Sequence, residues 1–312
     1  MAMTDKKSTR WYMGAILAGT GVFLVALAVE LVAQGIAFGI RCLVPGWADS
    51  EASPAWGRLV GALVGAVVAV GGTRHFVEGL RFEWPSHRRG SPRAILDVLR
   101  QAISKVAIRQ LCGGFLIVLA VMTLSVGAIS LGGGWTFGDR AWSWGILYGL
   151  GAGLGAAVIE EVFFRRTLLR VALSRCRRVV ALGISAAAFG LLHGVPRLLG
   201  GMAWGDAAWL TIAITLGPGM VLGAAWLATQ RLWLPIGIHV AWNIGEYSIL
   251  GINVPGDAGG RGVFASTWSG TTWLTGGQLG LDASLVTLIA LLIVAAFLMC
   301  WARHNRRLER AS

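Results

Sequence analysis

An all-α protein crossing a lipid bilayer about eight times is the fold class this sequence predicts, and three observations carry it. Of the 312 residues, 55% are hydrophobic and only 13% charged, where a soluble domain carries roughly 25% charged residues. Apolar runs of about 20 residues, long enough to span hydrocarbon, recur along the chain. Basic residues gather between these runs on alternate sides. This composition excludes a soluble enzyme, and its hydrophobicity excludes disorder. The 45 Gly have no three-residue period, so a collagen-like fibre is excluded too. A net charge of +12 on a soluble protein would suggest nucleic acid. Here topology accounts for the charge, and no nucleic-acid partner is expected.

The runs fall at roughly 11–40, 56–73, 110–131, 142–164, 179–199, 207–229, 232–252 and 281–301. The first is long enough to tilt and is followed by no small-residue cleavage site, so it reads as a retained signal anchor. With the N-terminus inside, 22 of the 27 Lys and Arg face the cytoplasm, and only Arg41, Arg58, Arg140, Arg197 and Arg261 lie outside. That bias places both termini in the cytoplasm. Residues 91–109 read as an amphipathic helix, either interfacial or a plain connector. Ser91 caps it, Pro92 takes the first helical position, and Ile95, Leu96, Leu99, Ile103 and Val106 share a face opposite the basic residues. The loop near 253–280 is Gly-, Ser- and Thr-rich, carries Trp268 and Trp273, and is long for a connector, which suits an outer cap.

Gly57, Gly61 and Gly65 in the second run, and Gly145, Gly149 and Gly153 in the fourth, are four apart. Such small faces let helices approach closely in lipid, which makes the fourth run central, with a homodimer face as the alternative. Cys42, Cys112, Cys176 and Cys300 form no C-x-x-C and read as packing residues. The organisation that follows has three parts: N-terminal spans with the amphipathic segment (1–135), a core (140–252), and an outer loop with the last span and a basic tail (253–312).

Ionisable groups inside a spanning helix cost on the order of 2.5–3.5 kcal/mol on insertion scales, so they are functional suspects. They are Glu30, Glu160, Glu161, His193, His239 and Glu246, joined by the amide of Asn243. Glu30, with Gln34 one turn later, reads as an interhelical hydrogen-bonder. Glu160 and Glu161 project about 100° apart and cannot easily share one task. Glu161 precedes Arg165 by four residues, the favourable order for a helical ion pair. It therefore reads as structural, and Glu160 as the group facing a site. The competing reading is that both acids only mark the membrane boundary. Phe189 and His193 share a face, as do His239 and Asn243. The turn at Cys176–Arg177 lies midway between Glu160 and His193, so both sit roughly 25 Å from it if the helices run straight. His239, eight residues after Arg231, is only roughly 12 Å from its own turn. The three meet if the Arg-rich 165–178 hairpin projects into the cytoplasm.

A carboxylate beside a histidine in a partly dry pocket can activate water. A second histidine and an amide can donate to a developing oxyanion. These parts suit amide hydrolysis, and no G-x-S-x-G nucleophile is present. No cofactor is required. Zinc held by Glu160, His193 and His239 is the alternative, although the compact H-E-x-x-H signature is absent.

Glu160–Arg165 (EEVFFR), Phe189–His193 (FGLLH) and His239–Asn243 (HVAWN) resemble the three motifs EExxxR, FxxxH and HxxxN/D of the CPBP family. That family contains the type II CAAX prenyl proteases and their bacterial Abi relatives. The resemblance implies an intramembrane endopeptidase acting on a membrane-associated protein or peptide. In it Glu160, assisted by His193, would activate water, His239 and Asn243 would form the oxyanion site, and Glu161 and Arg165 would brace the motif. The family has been described both as metal-dependent and as glutamate-dependent. The Gly-, Ala- and Trp-rich composition suggests a bacterial cytoplasmic membrane and speaks against prenylated substrates. Glu246, on the face of His239, reads as a packing group or a substrate contact. The rival functions are a non-catalytic scaffold or immunity protein and a transporter, though a transporter would show two homologous halves that are not seen.

Overall fold

The computed structural model describes residues 20, 21, 24, 64, 65, 104–138, 145–252, 262–264 and 266–311. Among them the chain is almost wholly helical, an all-α membrane protein. Four helical segments are long and apolar enough to cross a bilayer: Lys105–Leu131, Arg178–Leu199, Trp204–Thr229 and Leu285–Asn305. Apart from residues 20, 21, 24, 64 and 65, the two N-terminal runs, with Glu30 and Gln34, lie outside the described residues, as do Cys42, most of the 91–109 segment, residues 253–261, Gly57 and Gly61.

Helix α1 (Lys105–Leu131) starts where the Ser104 hydroxyl accepts the Ala107 N–H at 3.2 Å, a side-chain N-cap that satisfies one of the first-turn donors. This corrects the expected boundary. Residues 105–109 are the first turn of the span rather than the end of a separate interfacial helix, because the cap lies at Ser104. Helix α2 (Gly145–Glu161) runs through a π-helical stretch, Val162–Leu169, into α3 (Arg170–Leu173). The expected run 142–164 therefore extends nine residues further. Helix α4 (Arg178–Leu199) returns after a short basic turn.

Next, α5 (Trp204–Ile214) and α6 (Met220–Thr229) form one span through a second π stretch, Thr215–Gly219. Pro218 in that stretch has no N–H to give to the preceding turn, which favours the widened geometry. Helix α7 (Trp233–Asn243) continues into a third π stretch, Ile244–Leu250, and α9 (Leu285–Ala311) closes the bundle. π turns inside α-helices often occur at functional sites. Two of these three adjoin the acidic and HVAWN motifs.

Glycines set the closest crossings. A Cβ on Gly114 of α1 would lie 2.6 Å from the Gly237 carbonyl carbon of α7, so backbone meets backbone there. Gly190 and Gly194 of α4 press against Thr211 and Thr215 across the α5 seam. Gly153 faces Val240 and Asn243 of α7, so of the expected α2 stripe Gly153 makes the α7 crossing. Such small-residue contacts allow packing where lipid supplies no hydrophobic drive. Cys112 and Cys300 are exposed on α1 and α9, which corrects their assignment as packing residues; Cys176 is half-buried.

The described part of the outer segment is a folded cap. Strand β1 (Trp135–Thr136) pairs antiparallel with β2 (Thr267–Trp268), and Trp135 stacks on Trp268 at 5.3 Å between centroids. Short helix α8 (Thr272–Thr275) and the turn Leu281–Ala283 follow. Trp268 Nε1 donates to Gly277 O at 2.6 Å, and Trp209 Nε1 of α5 donates to Ala283 O at 2.8 Å. The first bond braces the cap internally, and the second ties it to the bundle.

Candidate active site

Two adjacent acids end α2, and their angular separation sends them to different partners. Glu161 Oε1 accepts from Arg165 Nη1 at 3.0 Å and lies 3.0 Å from His239 Nδ1. The side chains of Glu161 and Arg165 have no exposed surface. The guanidinium also donates from Nη2 to Gly219 O at 3.4 Å and lies 4.5 Å from the Phe189 ring centroid. This is a dry cluster of cation, carboxylate, imidazole and aromatic face that joins α2, α4, α7 and the second π stretch.

Glu160 points elsewhere. Its Oε2 lies 3.9 Å from His193 Nε2 and 4.0 Å from His239 Nε2, and it is buried with no hydrogen-bond partner. Those separations are too long for direct hydrogen bonds. They leave room for one water lying roughly 2.8 Å from each atom. The side chains of Glu160 and His193 are 16% and 24% exposed, which leaves them reachable where Glu161 is sealed.

The hydrogen bonds fix the tautomers. His193 Nδ1 lies 2.8 Å from Phe189 O, and a carbonyl can only accept, so this nitrogen carries the proton. Glu161, ion-paired to Arg165, also only accepts, so His239 Nδ1 donates to it. In the neutral rings both Nε2 atoms therefore present lone pairs toward Glu160. For His239 Nε2 to donate to an oxyanion the ring must carry a second proton.

Asn243, half-buried, sits one turn beyond His239 on the same helix, with its Cβ against Gly153 of α2. The sites differ in distance from their turns. His193 is fifteen residues past the start of α4, about 22 Å, and His239 six past the start of α7, about 9 Å. Since both imidazoles reach one carboxylate oxygen, the Ser174–Arg177 turn reaches further out than the Gln230–Leu232 turn for roughly parallel axes.

Among the described residues no group of three or more His, Cys, Asp or Glu is arranged to hold a metal ion. The donor types nevertheless fit zinc, since two Nε2 lone pairs are backed by a carbonyl and a carboxylate, the usual support for metal-bound histidine. The spacing is wider than a zinc site, where ligands at 2.0–2.1 Å stand about 3.4 Å apart.

Three further residues border the site: Arg197, Trp242 and Asp282. Arg197 Nη1 donates to His193 O at 3.0 Å. Asp282, carried by the cap, lies within electrostatic reach of His193, His239 and Arg197, and Glu246 within reach of Asp282. Arg197 and Asp282 both fall inside expected spans, 179–199 and 281–301, and that ionisable placement was the signal that sequence reasoning passed over.

Residues 142–245, about a third of the chain, match the family model described as Rce1-like, type II CAAX prenyl endopeptidase Rce1-like. All three motifs lie within that match, whereas Glu246 and Asp282 lie beyond it. No curated protein and no solved structure matches the chain.

Proposed function

We propose that the chain, whose residues 142–245 match the Rce1-like family model, is an intramembrane protease that hydrolyses a peptide bond of a membrane-associated protein or peptide with water activated by Glu160. The observation that supports this reading is the single unpartnered Glu160 oxygen set between two imidazole Nε2 atoms at 3.9 and 4.0 Å. A water in that gap donates to Glu160 and to the His193 lone pair, which raises its nucleophilicity.

Attack on the carbonyl passes the water proton to Glu160. The oxyanion is held by the cationic form of His239 and by the Asn243 amide, donors of the kind that lower such barriers by several kcal/mol. Glu160 then delivers the proton to the amine nitrogen as the C–N bond breaks. Glu161 and Arg165 act through His239 as positioning residues. Phe189 carries His193 through its carbonyl, with the ring centroids 4.6 Å apart, and covers the Arg165 cation. The partners are the substrate chain and the bilayer, and the compartment is a bacterial cytoplasmic membrane.

The zinc-dependent form of the same peptidase is the second reading, favoured by the two Nε2 lone pairs. Glu160, His193 and His239 would hold the ion, which when bound supplies Lewis acidity to a substrate carbonyl or to water. Elemental analysis of purified active protein decides between them. Stoichiometric zinc lost together with activity overturns the glutamate reading.

The peptidase itself is tested by comparing membrane-protein fragments in cells carrying wild type, Glu160→Ala or His193→Ala at equal expression. Processed species vanish in both variants. Unchanged processing in either one refutes the proposal, and full biological activity of Glu160→Ala points to a scaffold or immunity role instead.

A further inference from the structure

Around the gap, among the described residues, stand the carboxyl groups of Glu160, Glu161, Glu246 and Asp282 and the guanidinium groups of Arg165 and Arg197. Glu161 and Arg165 neutralise each other at 3.0 Å. Three carboxyl groups then face one remaining guanidinium and, in the form that holds the oxyanion, the His239 ring. An uncompensated charge at membrane depth is costly, so such a group waits for a proton or a counter-cation.

The hydrogen-bond inventory points the same way. Glu246 is 1% exposed, yet its Oε1 has no partner, and Asp282 Oδ1 and Glu160 Oε2 are also buried and unpartnered. The indole of Trp242, 6% exposed, is directed toward both Glu246 and Asp282, yet its Nε1 stands too far from either for a close hydrogen bond. Each of the three residues thus keeps one buried polar atom without a hydrogen bond, and such an atom accommodates a further polar group.

The pair is also held in place. Gly280, at φ +74°, brings the cap turn so close that a Cβ there would sit 3.4 Å from Glu246 Oε1 and 3.0 Å from Ile252. Leu281 directs its backbone N–H at the Glu246 carboxylate, and Ala283 O takes the Trp209 N–H. The cap thus delivers Asp282 to the histidines, and α7 with its π extension delivers Glu246 from below.

We propose that Asp282 and Glu246 form a subsite, beside the water-activating Glu160, for an ammonium or guanidinium group of the substrate. The inference rests on the peptidase reading for what the ligand is attached to. An organic cation fits better than a bare metal ion. A metal needs three or more donors closed around one point, which the described residues do not provide. A cation on a flexible chain needs two carboxylates and an apolar wall for its stem. Because both acids lie outside the family-matched 142–245 segment, the subsite would set this chain's choice of substrate rather than its chemistry.

The test needs no turnover, so its failure is distinct from failure of the peptidase reading, which the Glu160→Ala and His193→Ala processing experiment decides. The full-length protein in zwitterionic nanodiscs is titrated calorimetrically with n-butylammonium and with n-butanol, its neutral counterpart. Wild type prefers the ammonium by about tenfold or more, the scale of a charge-assisted hydrogen bond. Asp282→Asn and Glu246→Gln each bring the two ligands to parity while retaining the wild-type thermal melt. If one variant does not fold, the other decides. No preference in wild type, a preference unchanged in the folded variants, or equal binding of sodium or magnesium at the same concentration overturns the proposal.

Discussion

The two sides of the candidate site contain the same kinds of groups in opposite conditions. On the motif side Glu161, Arg165 and His239 close on one another at 3.0 Å, with no exposed surface on the acid or the cation. On the cap side Glu246 and Trp242 are buried and Asp282 half-buried, and neither acid closes on a cation as Glu161 does, although both sides keep unpartnered polar atoms, Glu161 Oε2 and Arg165 Nε among them. Burial therefore does not separate the two sides, but closure of an acid on a cation does. A closed ion pair resists exchange with any ligand. Glu160 stands between the two sides and belongs by this criterion with the open set.

The sharpest way to break that contrast is at Glu160. Glu160→Gln keeps the shape and removes the base, so processing falls by roughly 10²–10⁴ in rate while the thermal melt is unchanged. A melt lowered as far as that of a Glu161 variant would place Glu160 among the structural acids. Glu161→Leu is expected to do the converse. It strands Arg165, which has no exposed surface, and destabilises the protein by about 3–5 kcal/mol. The double variant Glu161→Leu/Arg165→Met recovers most of that loss, since replacing both partners of a buried pair is often nearly neutral. Equal melts for the single and double variants would show that the pair is not closed. Asn243→Ala lowers the rate by about 10²–10³ without changing the melt, as loss of one oxyanion donor does. A rate within twofold of wild type would remove Asn243 from the site.

The motif side and Glu246 could be read from the sequence, and the approach of Asp282 and Trp242 could not, for a physical reason. Glu161–Arg165, Phe189–His193 and His239–Asn243 are each pairs on one helical face, so helix periodicity alone fixes their mutual direction. The i to i+4 pairing of Glu161 with Arg165 left Glu160 for another neighbour, and the geometry has the same division. Hydropathy located the spans, but their ends moved wherever a cap or a π turn intervened. Ser104 starts α1 earlier than expected, and the π stretch at Val162–Leu169 carries the second described helix on to Leu173. Neither leaves a mark in an average of hydrophobicity. Asp282 reaches the histidines through the tertiary fold of a Gly-rich segment whose turns depend on positive φ at Gly276 and Gly280. No periodicity connects residue 282 to residue 193.

The smallest expected effect sharpens the contrast on its weaker side. Trp209 Nε1 donates to Ala283 O at 2.8 Å, next to Asp282, and Ala283 has no exposed surface. Trp209→Phe keeps the ring bulk and deletes the donor, leaving a buried carbonyl unsatisfied at a cost of about 1 kcal/mol or somewhat more. Because the cap turn is short and borders polar groups that are already unsatisfied, the loss is local. Amide hydrogen exchange at Leu281–Ala283 therefore speeds up by about fivefold, the factor that 1 kcal/mol represents. Exchange across Val162–Leu169 on the motif side stays at its wild-type rate. Equal acceleration on both sides would mean that cap and motif open as one unit, and the separation between a closed side and a receptive side would then have no dynamic counterpart.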